Sequence, residues 1–202
     1  MRMVKLAAEA YRRMPWKNGG GVTLEIAVAP AGAGLDDFDW RVSSAHVEVA
    51  GPFSNFPGVD RSLALLGGAG MDLVVGRRST ALAQDGPVFA FDGGAAARAE
   101  LPVGPVTDFN VMSRRGRWTH RLTRMRLDAA RELQFDADVA LLYCASGRLI
   151  VRAEGHGACV LEADDALQVE GAAPLAVLLA PSGAASLLVV ELWRSARTAC
   201  SR

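Results

Sequence analysis

What most constrains this chain is the rhythm of its apolar residues, which alternate in short runs that stop at glycine or proline. In TLEIAVAP, from Thr23, Leu24, Ile26 and Val28 fall on one side and Thr23, Glu25 and Ala27 on the other. That is the two-residue period of a half-buried strand. WRVSSAHVEVAG, VDRSLALLGG, MDLVVG, GPVFAFDGG and GPVTDFNVM follow in the same style. RLTRMRL, VALLYCASGRLIVRA with a hairpin tip at Ser146-Gly147, CVLEADDALQVEG, PLAVLLAP and SLLVVELWR repeat it. Helical spacing is confined to Leu6–Arg13 and Asp128–Leu133. Many short strands with frequent turns predict an all-β sandwich or barrel, and two such series predict two β units. SRRGRW, within Ser113–Trp118, breaks the pattern and divides the chain into units 1–113 and 114–202.

Composition narrows the partners. Basic and acidic residues balance at 22 each, so no charge excess invites nucleic acid or an anionic membrane. The opening MRMVKLAAEAYRR lacks the apolar core of a secretory signal. Ala172 to Trp193 is apolar over a membrane-spanning length, but Pro174, Pro181 and the turn Pro181-Ser182-Gly183 make it two buried strands. Cys144, Cys159 and Cys200 form no CxxC and no pairing pattern, which points to free thiols in a reducing cytoplasm.

Familiar catalytic patterns are missing. His46, His120 and His156 are far apart, and no cluster has metal-ligand spacing, so no metal and no cofactor is expected. There is no GxSxG elbow. Cys144 and Cys159 lie in strand patterns as small buried hydrophobes. The aspartate groups at Asp36, Asp37 and Asp39 and at Asp164 and Asp165 read as turn residues.

The informative residues are polar groups in apolar rows. In VDRSLALL, Arg61 shares a face with Val59, Leu63 and Leu65. A guanidinium aimed inward needs an anion, either a protein carboxylate such as Asp108 or a ligand carboxylate held by the planar fork. In WRVSSAHV, the face Arg41, Ser43, Ala45, Val47 grades from polar to apolar like a cavity wall, while Trp40, Val42, Ser44 and His46 are also mixed. GPVTDFNVM puts Asp108 and Asn110 on one side, and Asn110 can both donate and accept. GPFSNFPGVDR, with Phe53, is a rigid loop leading into Arg61. MPWKNGGG carries Lys17 and Asn18 before three glycines, a sequence that demands a sharp turn or close backbone approach. It is no phosphate cradle, because lysine precedes the glycines and a strand follows.

Taken in order, MPWKNGGGVTLEIA, FDWRVSSAHVEVAGPFSNFPGVDRSLALLGG, FDGG and GPVTDFNVMSRRG strongly resemble the HutD family, also called Ves. The match covers most of Met14 to Gly116, with LLYCASGRLIV and LEADDAL fitting less specifically beyond it. The resemblance implies a bicupin, two stacked cupin-type β-barrels. It also implies a cytoplasmic regulator of histidine catabolism that binds a small carboxylate such as urocanate or N-formylglutamate, and is no established enzyme. Cupin metal sites use an HxH pair, a glutamate and a later histidine; His46-Val47-Glu48 lacks these, in keeping with a metal-free binder. On this expectation Arg61 holds the carboxylate and Asn110 and Ser43 read its polar end. Trp40 and Phe53 supply apolar wall, and Lys17 and Asn18 reach in from the glycine turn. Arg114 and Arg115 belong to the last motif. A homodimer through strand edges is compatible with it. The alternatives are a metal-independent isomerase or epimerase using His46 with Glu48 or Asp60, and a protein-binding module with exposed strands as its surface.

Overall fold

A computed structural model describes residues 1–16, 19–171 and 174–195. In chain order the strands are β1 Arg2–Leu6, β2 Arg12–Pro15, β3 Gly21–Ala29, β4 Trp40–Val47, β5 Gly51–Pro52, β6 Val59–Gly68, β7 Met71–Val75, β8 Arg78–Leu82, β9 Phe89–Asp92, β10 Ala97–Glu100 and β11 Val106–Arg114. They continue as β12 Trp118–Leu127, β13 Arg131–Phe135, β14 Val139–Ser146, β15 Leu149–Arg152, β16 Cys159–Leu161, β17 Ala166–Glu170, β18 Leu175–Pro181 and β19 Ala185–Arg194. A single 3-10 turn, Ala8–Ala10, is the only helical element among the described residues. The all-β expectation therefore holds. The two stretches with helical spacing are instead β1 with that turn, and a bend leading into β13.

The chain forms two compact units. One contains Met1–Tyr11 with Arg121–Trp193, and the other Arg12–His120 with Arg194 and Ser195. The division at 113/114 read from the sequence thus differs in where it puts the first eleven residues, residues 114–120 and Arg194. β1 pairs antiparallel with β17, Arg2 opposite Glu170 and Leu6 opposite Ala166. Asp165 secures this strand: it accepts from Ala8 N at 3.1 Å and binds Lys5 Nζ at 2.7 Å. Tyr11 donates its hydroxyl to the Asp164 carbonyl at 2.7 Å.

In this unit a five-stranded sheet, β1-β17-β14-β19-β12, and a four-stranded sheet, β13-β18-β15-β16, contribute to one core. Leu142, Leu167, Leu187 and Val189 come from the first sheet and Leu149, Leu161, Val177 and Leu179 from the second. Each such side chain contributes about 1.5–3 kcal/mol by leaving water. VALLYCAS and SLLVVELWR read as nearly unbroken apolar runs because β14 and β19 are buried on both faces. The apolar stretch after Ala172 is two strands, β18 and β19. No helix among the described residues is long and apolar enough to cross a membrane.

The other unit pairs a six-stranded sheet, β2-β3-β4-β11-β6-β9, with a four-stranded one, β5-β10-β7-β8. Their core holds Val47, Leu63, Leu65, Met71, Leu73, Leu82 and Val106. In β4, β6 and β11 most side chains on both faces are buried. His120 is largely buried between two hydroxyls, Ser113 Oγ at 2.7 Å and Ser62 Oγ at 2.9 Å, and burial pulls its imidazole down to about 4.

Candidate functional site: a charged cavity on the six-stranded sheet

Strand register lays out the site as a grid. β11 is flanked by β4 and β6, so residues at matching positions stand side by side. One row is Arg41, Met112, Arg61; the next is Ser43, Asn110, Leu63; the third is Ala45, Asp108, Leu65. Alternation turns these side chains to one face, and eight of the nine are at most 7% exposed, with Ala45 at 8%. They give way to the apolar core at Val47 and Val106. A cavity of about 520 Å³ opens over the polar rows, within the range of small-molecule sites. Arg41, Ser43, Arg61, Asp108 and Asn110 line it, with Trp16 and Phe53 among its apolar walls. A neighbouring pocket of about 120 Å³, between Trp16, Gly20, Val47 and Phe53, has no charged side chain among its described lining residues.

The charged groups are not equivalent. Arg41 Nε donates to Glu25 Oε2 at 2.6 Å, Nη1 reaches Ser43 Oγ at 3.3 Å and Nη2 approaches Met14 Sδ at 3.5 Å. Glu25 also lies 3.6 Å from the exposed Arg12. Arg41 is thus neutralised by the protein. Arg61, only 3% exposed, donates Nη1 to the Ser54 carbonyl at 3.3 Å, and its Nε has no hydrogen-bond partner among the described residues. Phe53, Phe56 and Phe91 surround its guanidinium at 5.1, 5.7 and 5.0 Å, close enough for cation–π attraction. Burial pulls Arg61 down to about 10 while the Asp108 charge opposes this, so it remains a cation at neutral pH.

Asp108 is 1% exposed, and neither carboxylate oxygen has a side-chain hydrogen-bond partner among the described residues. Burial pushes it up to about 7, against the pull of Arg61 and of the Ala45 backbone N–H that lies against the carboxylate. Asn110 Oδ1 is likewise buried without a partner. Buried polar atoms are normally hydrogen-bonded, so three such groups on one cavity wall mark a place built for something else to bind.

The surrounding loops fix this wall. Phe56 N donates to Gly93 O at 2.7 Å and Gly93 N to Val59 O at 2.8 Å, which seats the Phe53–Gly58 loop beside β9. A Cβ at Gly93 would lie 2.8 Å from Val59 O and 3.1 Å from Arg61 Cδ, so FDGG leaves space for the arginine stem. The glycine run after Trp16 serves similarly: a Cβ on Gly21 would be 2.4 Å from His46 O and 3.2 Å from the Trp16 ring. Trp16 Nε1 donates to Thr23 Oγ1 at 2.8 Å and holds the indole at the cavity.

Of the residues singled out in the sequence, Arg61, Ser43, Asn110 and Phe53 meet at this cavity. Lys17 and Asn18 lie outside the described residues. Trp40 is elsewhere: it is on the opposite face of β4, edge-on to Trp118 at 6.3 Å. Its position corrects the expectation of a Trp40 wall, for strand alternation turns it away from Arg41 and Ser43. His46 and Glu48 are exposed and His46 bonds Thr107 Oγ1 at 3.2 Å, while Asp60 pairs with Arg115 at 3.4 Å. None of these three lines the cavity. Arg114 ties β11 to the Asp36–Phe38 loop through two carbonyls, each at 2.9 Å. Sequence reasoning missed the Arg41–Glu25 pair and the aromatic ring set completed by Phe56 and Phe91. The shared face of Thr23 and Glu25 was the only local signal for the first. No three metal-ligating side chains cluster among the described residues.

Comparison with known proteins places this geometry. A relative from Pseudomonas putida, named as an uncharacterized 21.2 kDa protein in the hutC 3′ region, is 38% identical over 166 residues, covering 82% of this chain and 86% of that protein. The structure of HutD from Pseudomonas fluorescens, determined in a formate condition, is similar at TM-score 0.80 and 34% identity, covering 96% of this chain and 99% of that one. A cupin 2 conserved barrel domain protein from Leptotrichia buccalis matches at TM-score 0.58 and 9% identity over 89% of this chain and 95% of that one, a likeness of fold alone. The architecture is accordingly a bicupin. The HutD family profile matches residues 8–187, and this chain, with its cavity floored by β4, β11 and β6, belongs to the HutD family.

Proposed function

We propose that the cavity binds a small carboxylate, with Arg61 as its anchor, and that the protein tunes histidine breakdown by holding an acid of that pathway such as urocanate or N-formylglutamate. The observation that carries this reading is Arg61 itself: a buried cation, facing a cavity, with Nε unused and no protein carboxylate hydrogen-bonded to it. Burying a charge without a partner is costly, and a ligand carboxylate gripped by the planar fork offsets that cost. Phe53, Phe56 and Phe91 hold the guanidinium in place, so little side-chain freedom is lost on binding. Asn110 and Ser43 then meet the ligand's polar end. The link to histidine utilisation is drawn from the hutC-region name of the P. putida relative. No metal takes part in this reading.

Calorimetric titration of the chelator-treated protein with urocanate, N-formylglutamate, formate and histidine tests the proposal, beside Arg61→Ala. Saturable binding of one acid that weakens at least about 30-fold in the variant supports it. Unchanged affinity for every acid in Arg61→Ala would remove the anchor and with it the mechanism.

A further inference from the structure

The second buried charge of the cavity has no role in that mechanism. Asp108 lies two rows along β11 from Met112, which stands beside Arg61, a separation of roughly 13 Å along the strand. Asp108 is among the residues lining the cavity, and both its oxygens are buried with no side-chain hydrogen-bond partner among the described residues, the Ala45 backbone N–H lying against them. Arg61 and Asp108 are opposite charges in one cavity that do not hydrogen-bond each other, with the Asn110 amide in the row between them. Were the site made for a plain carboxylate, an ionised aspartate on its wall would repel the occupant. A pair of opposite groups held apart suits a molecule whose ends are complementary to both.

We propose that Asp108 is a recognition point for a nitrogen donor, so that the occupant is a small acid bearing an N–H of an amine, amide or azole a few bonds from its carboxylate. This rests on the carboxylate reading for Arg61 and adds the second contact. The ligand carboxylate lies against Arg61, its N–H donates to an Asp108 oxygen, and Asn110 bridges the polar atoms between. The other charged groups facing Asp108 are Arg61 from β6 and Arg41 from β4, the latter already paired with Glu25 from β3. An N–H donor stabilises the ionised form of Asp108. Since burial holds this carboxyl far above the usual carboxylate range, so that part of the population is protonated at neutral pH, binding there releases protons. A ligand oxygen that accepts from protonated Asp108 would instead draw a proton in.

The test compares matched acids on the full chain: urocanate against furylacrylate, in which a nitrogen-free furan replaces the imidazole, and N-formylglutamate against glutarate, which lacks the formamide. Titrations at pH 7 in phosphate and in Tris give affinity and the proton count together. At least one N–H acid is expected to bind about tenfold or more tightly than its nitrogen-free partner and to release protons. In Asp108→Asn, a substitution of equal volume, that preference should fall below about threefold and the proton release should vanish. Equal affinities within both pairs, or proton uptake, would overturn the Asp108 proposal while leaving Arg61 in place. Unchanged affinity of the N–H acids in Arg61→Ala, with their preference intact, would overturn the anchor and spare Asp108. Absence of binding by all four acids would overturn both.

Discussion

Arg41 and Arg61 are the two cross-strand neighbours of Met112, one on β4 and one on β6, yet only Arg41 has a carboxylate in hydrogen-bond contact. Two buried cations of one row therefore have different tasks. Arg41, tied to Glu25 and Ser43, keeps β3 and β4 in register; Arg61, held by aromatic rings and one carbonyl, keeps its Nε uncommitted.

Stability separates the two. Arg41→Met leaves Glu25 buried with only the distant Arg12 for a partner and is expected to cost about 2–4 kcal/mol. Adding Glu25→Gln should recover much of the loss. Arg61→Met removes an incompletely paired buried charge and should leave the melting temperature unchanged or higher while abolishing carboxylate binding. Thermal melts beside titrations check both; equal destabilisation by the two variants would contradict the division of labour.

Asp108 gives stability a pH dependence of definite sign. Its folded-state pKa is raised from 3.8 to about 7, so the folded protein holds this proton more tightly than the unfolded chain. The contribution is full below about pH 4 and is lost as pH rises to about 7. His120 acts in the opposite sense: its pKa is lowered from 6.5 to about 4, so its contribution is lost as pH falls through that window. Comparing the protein with Asp108→Asn at each pH cancels the histidine. The variant should gain about 2 kcal/mol relative to the parent between pH 5.5 and 8.5. Denaturant melts at the two pH values measure this, and parallel curves would refute it.

Gly93→Ala tests how the FDGG turn serves the anchor. The added methyl meets backbone at Val59 and the stem of Arg61. Ligand affinity should fall about tenfold or more, with a stability loss of about 1–3 kcal/mol from the crowding. An unaltered affinity would show that the arginine does not depend on this clearance.

Trp40→Phe makes the converse case. The indole packs on Trp118 and faces away from the cavity, so the substitution should lower the melting temperature and leave affinity within about twofold. A large loss of binding would mean that this face of β4 takes part after all.

Much of the cavity was legible in the sequence because strand alternation is local. Once VDRSLALL and GPVTDFNVM are read as strands, Arg61, Asp108 and Asn110 must share faces with apolar neighbours. The same rule sets Trp40 opposite Arg41 and Ser43. The expectation of a Trp40 wall went with the motif resemblance and ran against it, and with β4 buried on both faces polarity could not tell cavity from core. Pairing across strands was not legible. Nothing near Glu25 announces Arg41, and nothing near Phe56 or Phe91 announces that both rings close on Arg61. The first residues failed for a related reason: LAAEAYRR has helical composition, but its conformation follows from contacts with residues around Asp164 and Asp165.

The partnership of β1 with β17 has a bearing on how the protein is made. Arg2–Leu6 leaves the ribosome long before its mate, Ala166–Glu170. Throughout most of translation this strand has an open edge and no ladder to join, the condition in which strands find wrong neighbours. Residues 12–120 form their unit without it. Completion of the other unit awaits the C-terminal half of the chain, when β1, made long before its mate, returns to close the five-stranded sheet.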